Sequence, residues 1–334
     1  MTLLVYALLF VASVAVTLGA CALFTNAIEW LGKRLNLSEG AVGSILAAIG
    51  TTLPETSIPI VAIFIGASRE ETEVGLGAIL GAPFMLSTLV IPILALLLLV
   101  YAQLGKRSPA FRVKYKDLTA DLSCFAGAYT IAMACAFIPS RALHVLTAIG
   151  LMGLYLYYVK LKLTDTDEAD ESSQLDPLFF GRKSTMPSYA LIGLQAFAGL
   201  GGLLLGAHLF ITAAESTARF LGISPLILAL LIAPLATELP EMSNSFLWLY
   251  QRKDRLAVGN VTGAMVFQGT IPVSVGLFGT EWALAPSALL TMVLAVLAAG
   301  SLLLQAAWAE QWRPWLLSAG AVLYIGYVVY LYGW

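Results

Sequence analysis

Three acidic residues stand where acidic residues are rarely found. Glu55, Glu238 and Glu241 each lie deep inside a long apolar stretch. A charge near the centre of a bilayer costs about 2.5–3.5 kcal/mol on insertion scales, so such a group is expected to be paired, protonated or metal-bound. A purely structural carboxyl, satisfied by backbone and hydroxyl neighbours, is the competing reading, and it weighs more for Glu238 than for the other two. Local sequence favours chemistry. Gly50-Thr51-Thr52-Leu53-Pro54-Glu55 and Ala236-Thr237-Glu238-Leu239-Pro240-Glu241 both place proline in mid-stretch. Proline has no amide hydrogen and clashes with the preceding turn, so a kink or break is predicted at each. Carbonyls freed around Thr51 and Thr237 can then face a cavity, where irregular backbone is tolerated at that depth. Carboxylate and carbonyl oxygens together suit a hard cation such as Ca²⁺. Glu238 and Glu241 are three residues apart and share a face if the helix persists. Downstream, Gly77 and Gly81 correspond to Gly259 and Gly263, whose spacing permits close backbone approach or local unwinding. Asn260 and Gln268 add uncharged amides there.

The elements that must position these groups follow from composition. The chain has 334 residues, 59% of them hydrophobic and 11% charged, with a mean hydropathy of +0.87. A soluble protein carries about 25% charged residues, so lipid must cover much of this surface. A net charge of −2 without a basic run gives no sign of a nucleic-acid partner. A spanning helix needs about 20 apolar residues. Ten stretches qualify: 3–31, 38–67, 73–103, 118–138, 142–163, 189–221, 224–250, 256–278, 284–306 and 314–332. The first begins without a positively charged leader or a clear cleavage site and reads as a retained span. Cys21, Cys124 and Cys135 sit unpaired in apolar stretches and read as small core residues. Trp30, Trp282, Trp312 and Trp334 fall near span ends, where interfacial anchoring is expected.

Residues 164–188 differ from the rest, with Asp165, Asp167, Glu168, Asp170, Glu171 and Asp176 followed by Arg182 and Lys183. They read as a solvated linker between a five-helix repeat at 1–163 and another at 189–334. With ten spans, 15 basic residues fall on one side of the membrane and three, Arg69, Arg141 and Arg219, on the other. Basic loops stay in the cytoplasm, which puts the linker inside, both termini outside, and the chain in an inner or plasma membrane.

The halves align without gaps at an offset of 186 residues. Leu23-Phe24 returns as Leu209-Phe210, Glu29 as Glu215, Ser38 as Ser224, Thr51 as Thr237, and Leu53-Pro54-Glu55 as Leu239-Pro240-Glu241. Twelve of forty positions are identical between 19–58 and 205–244, against roughly three or four by chance at ordinary residue frequencies. The offset then becomes 182, pairing Gly77 with Gly259 and Gly81-Ala82 with Gly263-Ala264. Each half has an odd number of spans, so the second enters the membrane inverted, as in many secondary transporters. The fold class is therefore an all-α membrane protein of about ten transmembrane helices in two inverted-topology five-helix repeats.

These paired elements resemble the two α-repeats of the cation/calcium exchanger superfamily, most closely its sodium/calcium exchanger branch. The resemblance covers about 19–90 and 205–272. It implies that Glu55 and Glu241 are the principal Ca²⁺ ligands, that the carbonyls of Thr51 and Thr237 complete the site, and that the first and sixth spans slide against the others during alternating access. It implies no cofactor, only transported cations, with Na⁺ or H⁺ as counter-ion. The family pattern, close to Gly-Thr-Ser-x-Pro-Glu and then Gly-Asn-x-x-Gly-Ser-Asn, is departed from in several places. The serine after the threonine is Thr52 in one half and Glu238 in the other. Ala82 and Ala264 replace a serine, Ala78 replaces an asparagine that Asn260 keeps, and a polar position becomes Leu86 and Gln268. Several sodium-binding oxygens are thus missing. An exchanger with aspartate at the position of Gln268 would have three site carboxylates, so Glu238 reads as negative charge relocated. Carboxylates this close repel one another and share cations or protons, which brings proton coupling into range.

Two other function classes remain open to the carboxylates. An intramembrane hydrolase would use them as acid and base, but neither Pro-Glu pair has a histidine or cysteine beside it and hydrolysis needs no twin symmetry. A passive channel would use them for selectivity and would conduct without counter-flux. His144 and His208, without acidic or cysteine neighbours, read as packing or surface residues. Glu29 and Glu215, near the membrane edges, read as interfacial or gating groups.

Overall fold

The computed structural model describes residues 3–64, 69–164, 175–181, 186–220, 238–309 and 312–332. These are helical throughout, with no strand among them. The helices are α1 (Leu3–Arg34), α2 (Ala48–Phe64), α3 (Arg69–Met85), α4 (Ile91–Gln103), α5 (Tyr115–Cys135), α6 (Arg141–Thr164), α7 (Tyr189–Phe220), α8 (Leu239–Tyr250), α9 (Asp254–Gly279), α10 (Pro286–Ala309), α11 (Pro314–Leu317) and α12 (Ala319–Tyr332). Two π-helical segments interrupt this pattern. Val42–Ala47 leads into α2 after a single turn at Glu39–Ala41, and Leu86–Val90 joins α3 to α4. Among the described residues, seven segments are long and apolar enough to cross a membrane. Large apolar side chains such as Leu8, Val11, Leu96, Leu146, Phe197 and Val322 face outward. That arrangement would expose a continuous apolar surface to water and is normal only against lipid.

The central element is α9. It is buried along most of its length and packs against α2, α3, α5, α6, α8 and the segment Val42–Ala47. The closest crossing is with that segment. A Cβ on Gly43 would lie 2.8 Å from the Leu256 carbonyl oxygen, and one on Gly263 would overlap the backbone of Ser44. Two backbones meet here because small residues face each other. A second small-residue seam joins α1 to α7, where Gly199, Gly202 and Gly206 leave room for Phe24, Ala20 and Thr17.

Ion pairs close one end of the bundle. The junction of α8 and α9 is tied by Lys253 of the loop to Glu29 of α1 at 2.5 Å and, from the first turn of α9, by Asp254 to Arg107 at 2.5 Å and by Arg255 to Asp117 of α5 at 3.0 Å. Trp248 donates its indole N–H to the other oxygen of Glu29 at 2.7 Å. Glu29 is therefore a buried link between α1 and α8, whereas the side chain of Glu215 lies outside the described residues. At the opposite end Arg141 caps α9, donating to the carbonyls of Leu277, Phe278 and Thr280. A cation there meets the negative end of the helix dipole.

Three expectations need correcting. The linker is not wholly solvated, since Leu178 is fully buried among Ala27, Trp30 and Ile192, and the Phe180 amide donates to Gln195. Its acidic run, 165–174, lies outside the described residues. Trp30, Trp282 and Trp312 are not lipid-facing anchors. They are buried, and their indole N–H groups donate to the carbonyls of Asp176, Ala132 and Leu302. A buried indole N–H needs an acceptor, and each of the three finds a backbone carbonyl. Lys162, expected in a basic loop, is buried beside Asp121.

Candidate cation site

The first repeat's proline does not break its helix. Residues 48–64 form one α-helix through Pro54, and the irregular turns come earlier, at Val42–Ala47. Proline removes one backbone bond, the one to the carbonyl four residues back. The threonine hydroxyls nearby bond to other carbonyls: Thr51 donates to Ala47 at 3.0 Å, Thr52 to Ala48 at 2.7 Å, and Thr56 to Thr52 at 2.9 Å. In a continuous helix the Thr51 carbonyl accepts from the amide four residues on and keeps a second lone pair. Glu55 is on this helix one turn beyond Thr51, and its side chain lies outside the described residues. So does the whole of Thr237.

The second repeat is built differently. Helix α8 starts at Leu239 with Pro240 in its first turn, where a missing amide hydrogen leaves no bond unmade. Glu238 immediately precedes the helix with φ −84° and ψ 0°. Glu238, Glu241, Asn244 and Ser245 are each 0% exposed. No carboxylate oxygen of Glu238 or Glu241 has a hydrogen-bond partner among the described residues. Thr51 of the first half flanks the Glu241 carboxyl group, and Gln268 of α9 flanks that of Glu238. Asn260 also reaches this cluster from α9. Its amide nitrogen donates to the Glu241 carbonyl at 3.1 Å and to the Ser245 hydroxyl at 3.0 Å, which leaves its oxygen unpartnered. Of the expected site residues, Glu238, Glu241, Thr51, Asn260 and Gln268 are therefore brought together. Thr52, whose hydroxyl is turned to Ala48, is not seen to join them.

Of the two roles open to the second-half glycines, the structure shows close approach. Helix α9 does not unwind at Gly259–Gly263; it runs unbroken to Gly279. The pair serves close approach, packing against Gly40, Gly43 and Ser44. Gly77 and Gly81 have no neighbour at the Cβ position among the described residues. Gly263→Ala is accordingly expected to cost about 1–3 kcal/mol, the usual range for overpacking, because the opposing group is backbone and cannot rotate away. Thermal unfolding in detergent checks this, with Gly81→Ala expected to stay within about 0.5 kcal/mol of the parent.

Buried oxygens without partners mark a place that something else must fill. Two carboxylates, amide oxygens and a hydroxyl form an all-oxygen lining, which suits a hard cation rather than a soft one. Among the described residues no group of three or more His, Cys, Asp or Glu is found.

Comparison with known proteins gives the family. A family model described as sodium/calcium exchanger protein matches residues 5–164 and 192–333. The chain belongs to that family. It is a multi-pass membrane protein of an exchanger family, not an enzyme. A putative antiporter, CaxA of Alkalimonas amylolytica, is 24% identical over 272 residues, 76% of this chain and 74% of that one. The sodium-calcium exchanger NCX_Mj, soaked with zero Na⁺ and Ca²⁺, has the same fold, with a TM-score of 0.76 at 20% identity over 98% of this chain and 99% of that one. Its form soaked with 2.5 mM Na⁺ and 10 mM Sr²⁺ gives 0.75 at 18% identity over the same shares.

Two groups escaped sequence reasoning. Asp121, fully buried in α5, receives Lys162 at 2.7 Å, Tyr158 at 2.8 Å and Thr262 of α9 at 2.5 Å. The signal was present as opposite charges within two adjacent apolar stretches. Asn244 is the other, one turn beyond Glu241 on α8.

Proposed function

We propose that this protein is a secondary active antiporter that exchanges a divalent cation, Ca²⁺ foremost, for Na⁺ or H⁺ by alternating access at a midplane carboxylate site. Ten transmembrane helices in two inverted five-helix repeats, 1–163 and 189–334, flank a cytoplasmic linker at 164–188, with both termini outside. The observation that carries the reading is the fully buried pair Glu238 and Glu241, whose four oxygens have no hydrogen-bond partner among the described residues, in a chain of the exchanger family. The twin Pro-Glu motifs bring Glu55 to the same place from the other half. Thr51, Asn260 and Gln268 contribute neutral oxygens. The α1–α7 pair, held by its own glycine seam and linked to α8 through Glu29, is the body that slides. Water and ions then reach the site from one side at a time.

The test is flux in reconstituted liposomes. Ca²⁺ uptake is followed under an imposed Na⁺ or H⁺ gradient, and gradient-driven accumulation is expected. Flux indifferent to any gradient points to a channel, and absence of flux with every divalent cation rejects exchange. Glu238→Gln is expected to change cation selectivity, affinity or pH dependence by roughly tenfold, the effect of about 1.4 kcal/mol. Unaltered values would show that Glu238 does not carry the relocated charge.

A further inference from the structure

The two halves are unequal in the groups they offer to a cation. At the repeat's own correspondences the second half places Glu238, Asn244, Asn260 and Gln268 where the first has Thr52, Ile58, Ala78 and Leu86. Three of those four second-half residues were already legible as site candidates. Asn244 was not, and nothing in the Pro-Glu motif calls for an amide there. It is 0% exposed, and neither its oxygen nor its nitrogen has a hydrogen-bond partner among the described residues. Burying an amide unpaired costs about 1–3 kcal/mol. A side chain serving only to pack would be apolar, as Ile58 is in the other half.

Its position explains the amide. Residues three apart on a helix are neighbours, so Asn244 adjoins Glu241 on α8, which Glu238 leads into. Asn260 meets the same turn from α9, through its bonds to the Glu241 carbonyl and to Ser245. We propose that Asn244 is a cation ligand in its own right. Its carbonyl oxygen coordinates the divalent ion one turn beyond Glu241, and its amide nitrogen holds a co-bound water. The coordination shell thereby leans on the second half. Ion occupancy relieves the unpaired amide, so binding and transport recover what the empty site leaves unmade. This inference rests on the antiport reading above.

Its test separates the two. In liposomes, Asn244→Ala is expected to raise the half-saturating Ca²⁺ concentration about tenfold, the effect of losing about 1.4 kcal/mol of binding, with Asn244→Asp holding it within about threefold because an oxygen remains. In detergent without divalent ions, Asn244→Ala is expected to unfold at an equal or higher temperature than the parent, while the stabilisation by added Ca²⁺ shrinks. A packing role predicts the reverse: lower ion-free stability and unchanged Ca²⁺ affinity. If Asn244→Ala does not assemble, Asn244→Thr carries the same comparison. Affinity within twofold of the parent in the alanine or threonine variant, with Glu241→Gln inactive, overturns the ligand role and leaves the site standing. Full exchange by Glu241→Gln overturns both.

Discussion

Glu241→Gln is expected to reduce Ca²⁺ exchange at least about 100-fold while leaving the protein folded. The glutamate side chain is fully buried, and neither of its oxygens is held by a described neighbour. No structural bond is therefore lost when one oxygen becomes an amide of the same shape. What is lost is a full negative charge facing a divalent ion in surroundings that water does not screen. Ligand charge count is the main lever on divalent-cation affinity, and 100-fold corresponds to about 2.7 kcal/mol, which one buried ionic contact readily supplies. Thr51 and Asn260 remain but bring only neutral oxygens. The measurement is gradient-driven Ca²⁺ uptake in liposomes alongside thermal unfolding. A variant that unfolds early would mean the carboxylate has a structural partner after all. One that exchanges normally would remove Glu241 from the site.

Lys162→Met is expected to be the most destabilising single change at the bundle's basic end, costing about 3–5 kcal/mol. Lys162 and Asp121 have side chains 6% and 2% exposed and meet at 2.7 Å. Removing one member of a buried pair leaves the other charge uncompensated, which is where the cost arises. Asp121 would keep its bonds from Tyr158 and Thr262, but neither neutralises it. Removing both charges, with Asp121→Asn added to Lys162→Met, is expected to recover most of the loss. A double-mutant cycle on unfolding free energies in detergent measures this, and purely additive effects would show that the two groups do not depend on each other. Because Thr262 sits beside Gly263 on α9, the same network holds the helix that carries Asn260 and Gln268 against the π-helical segment.

How much of this was legible depended on the kind of signal. Apolar length located the helices well: the expected stretch 118–138 is α5 at 115–135, 142–163 is α6 at 141–164, and 256–278 is α9 at 254–279. The hydrophobic signal is local and needs no partner, so it survives without the fold. The Pro-Glu repeat likewise pointed to Glu241 and Glu238, since a charge in an apolar run is conspicuous by itself. Asn244 and Asp121 were less conspicuous, an uncharged amide in the one case and an acid near a stretch end in the other.

The sequence by itself determined a multi-pass membrane protein of the exchanger family and singled out the carboxylates on which the proposed ion site rests. Only the tertiary structure decided how the two equivalent motifs diverge. Pro54 is absorbed into a continuous helix while Pro240 stands in the first turn of one, because a proline's effect depends on whether helix already precedes it. Only the tertiary structure showed that Gly263 faces the Ser44 backbone, and that Lys162 lies inside rather than in a basic loop. Packing and pairing are relations between segments far apart in the chain, and no single stretch records them.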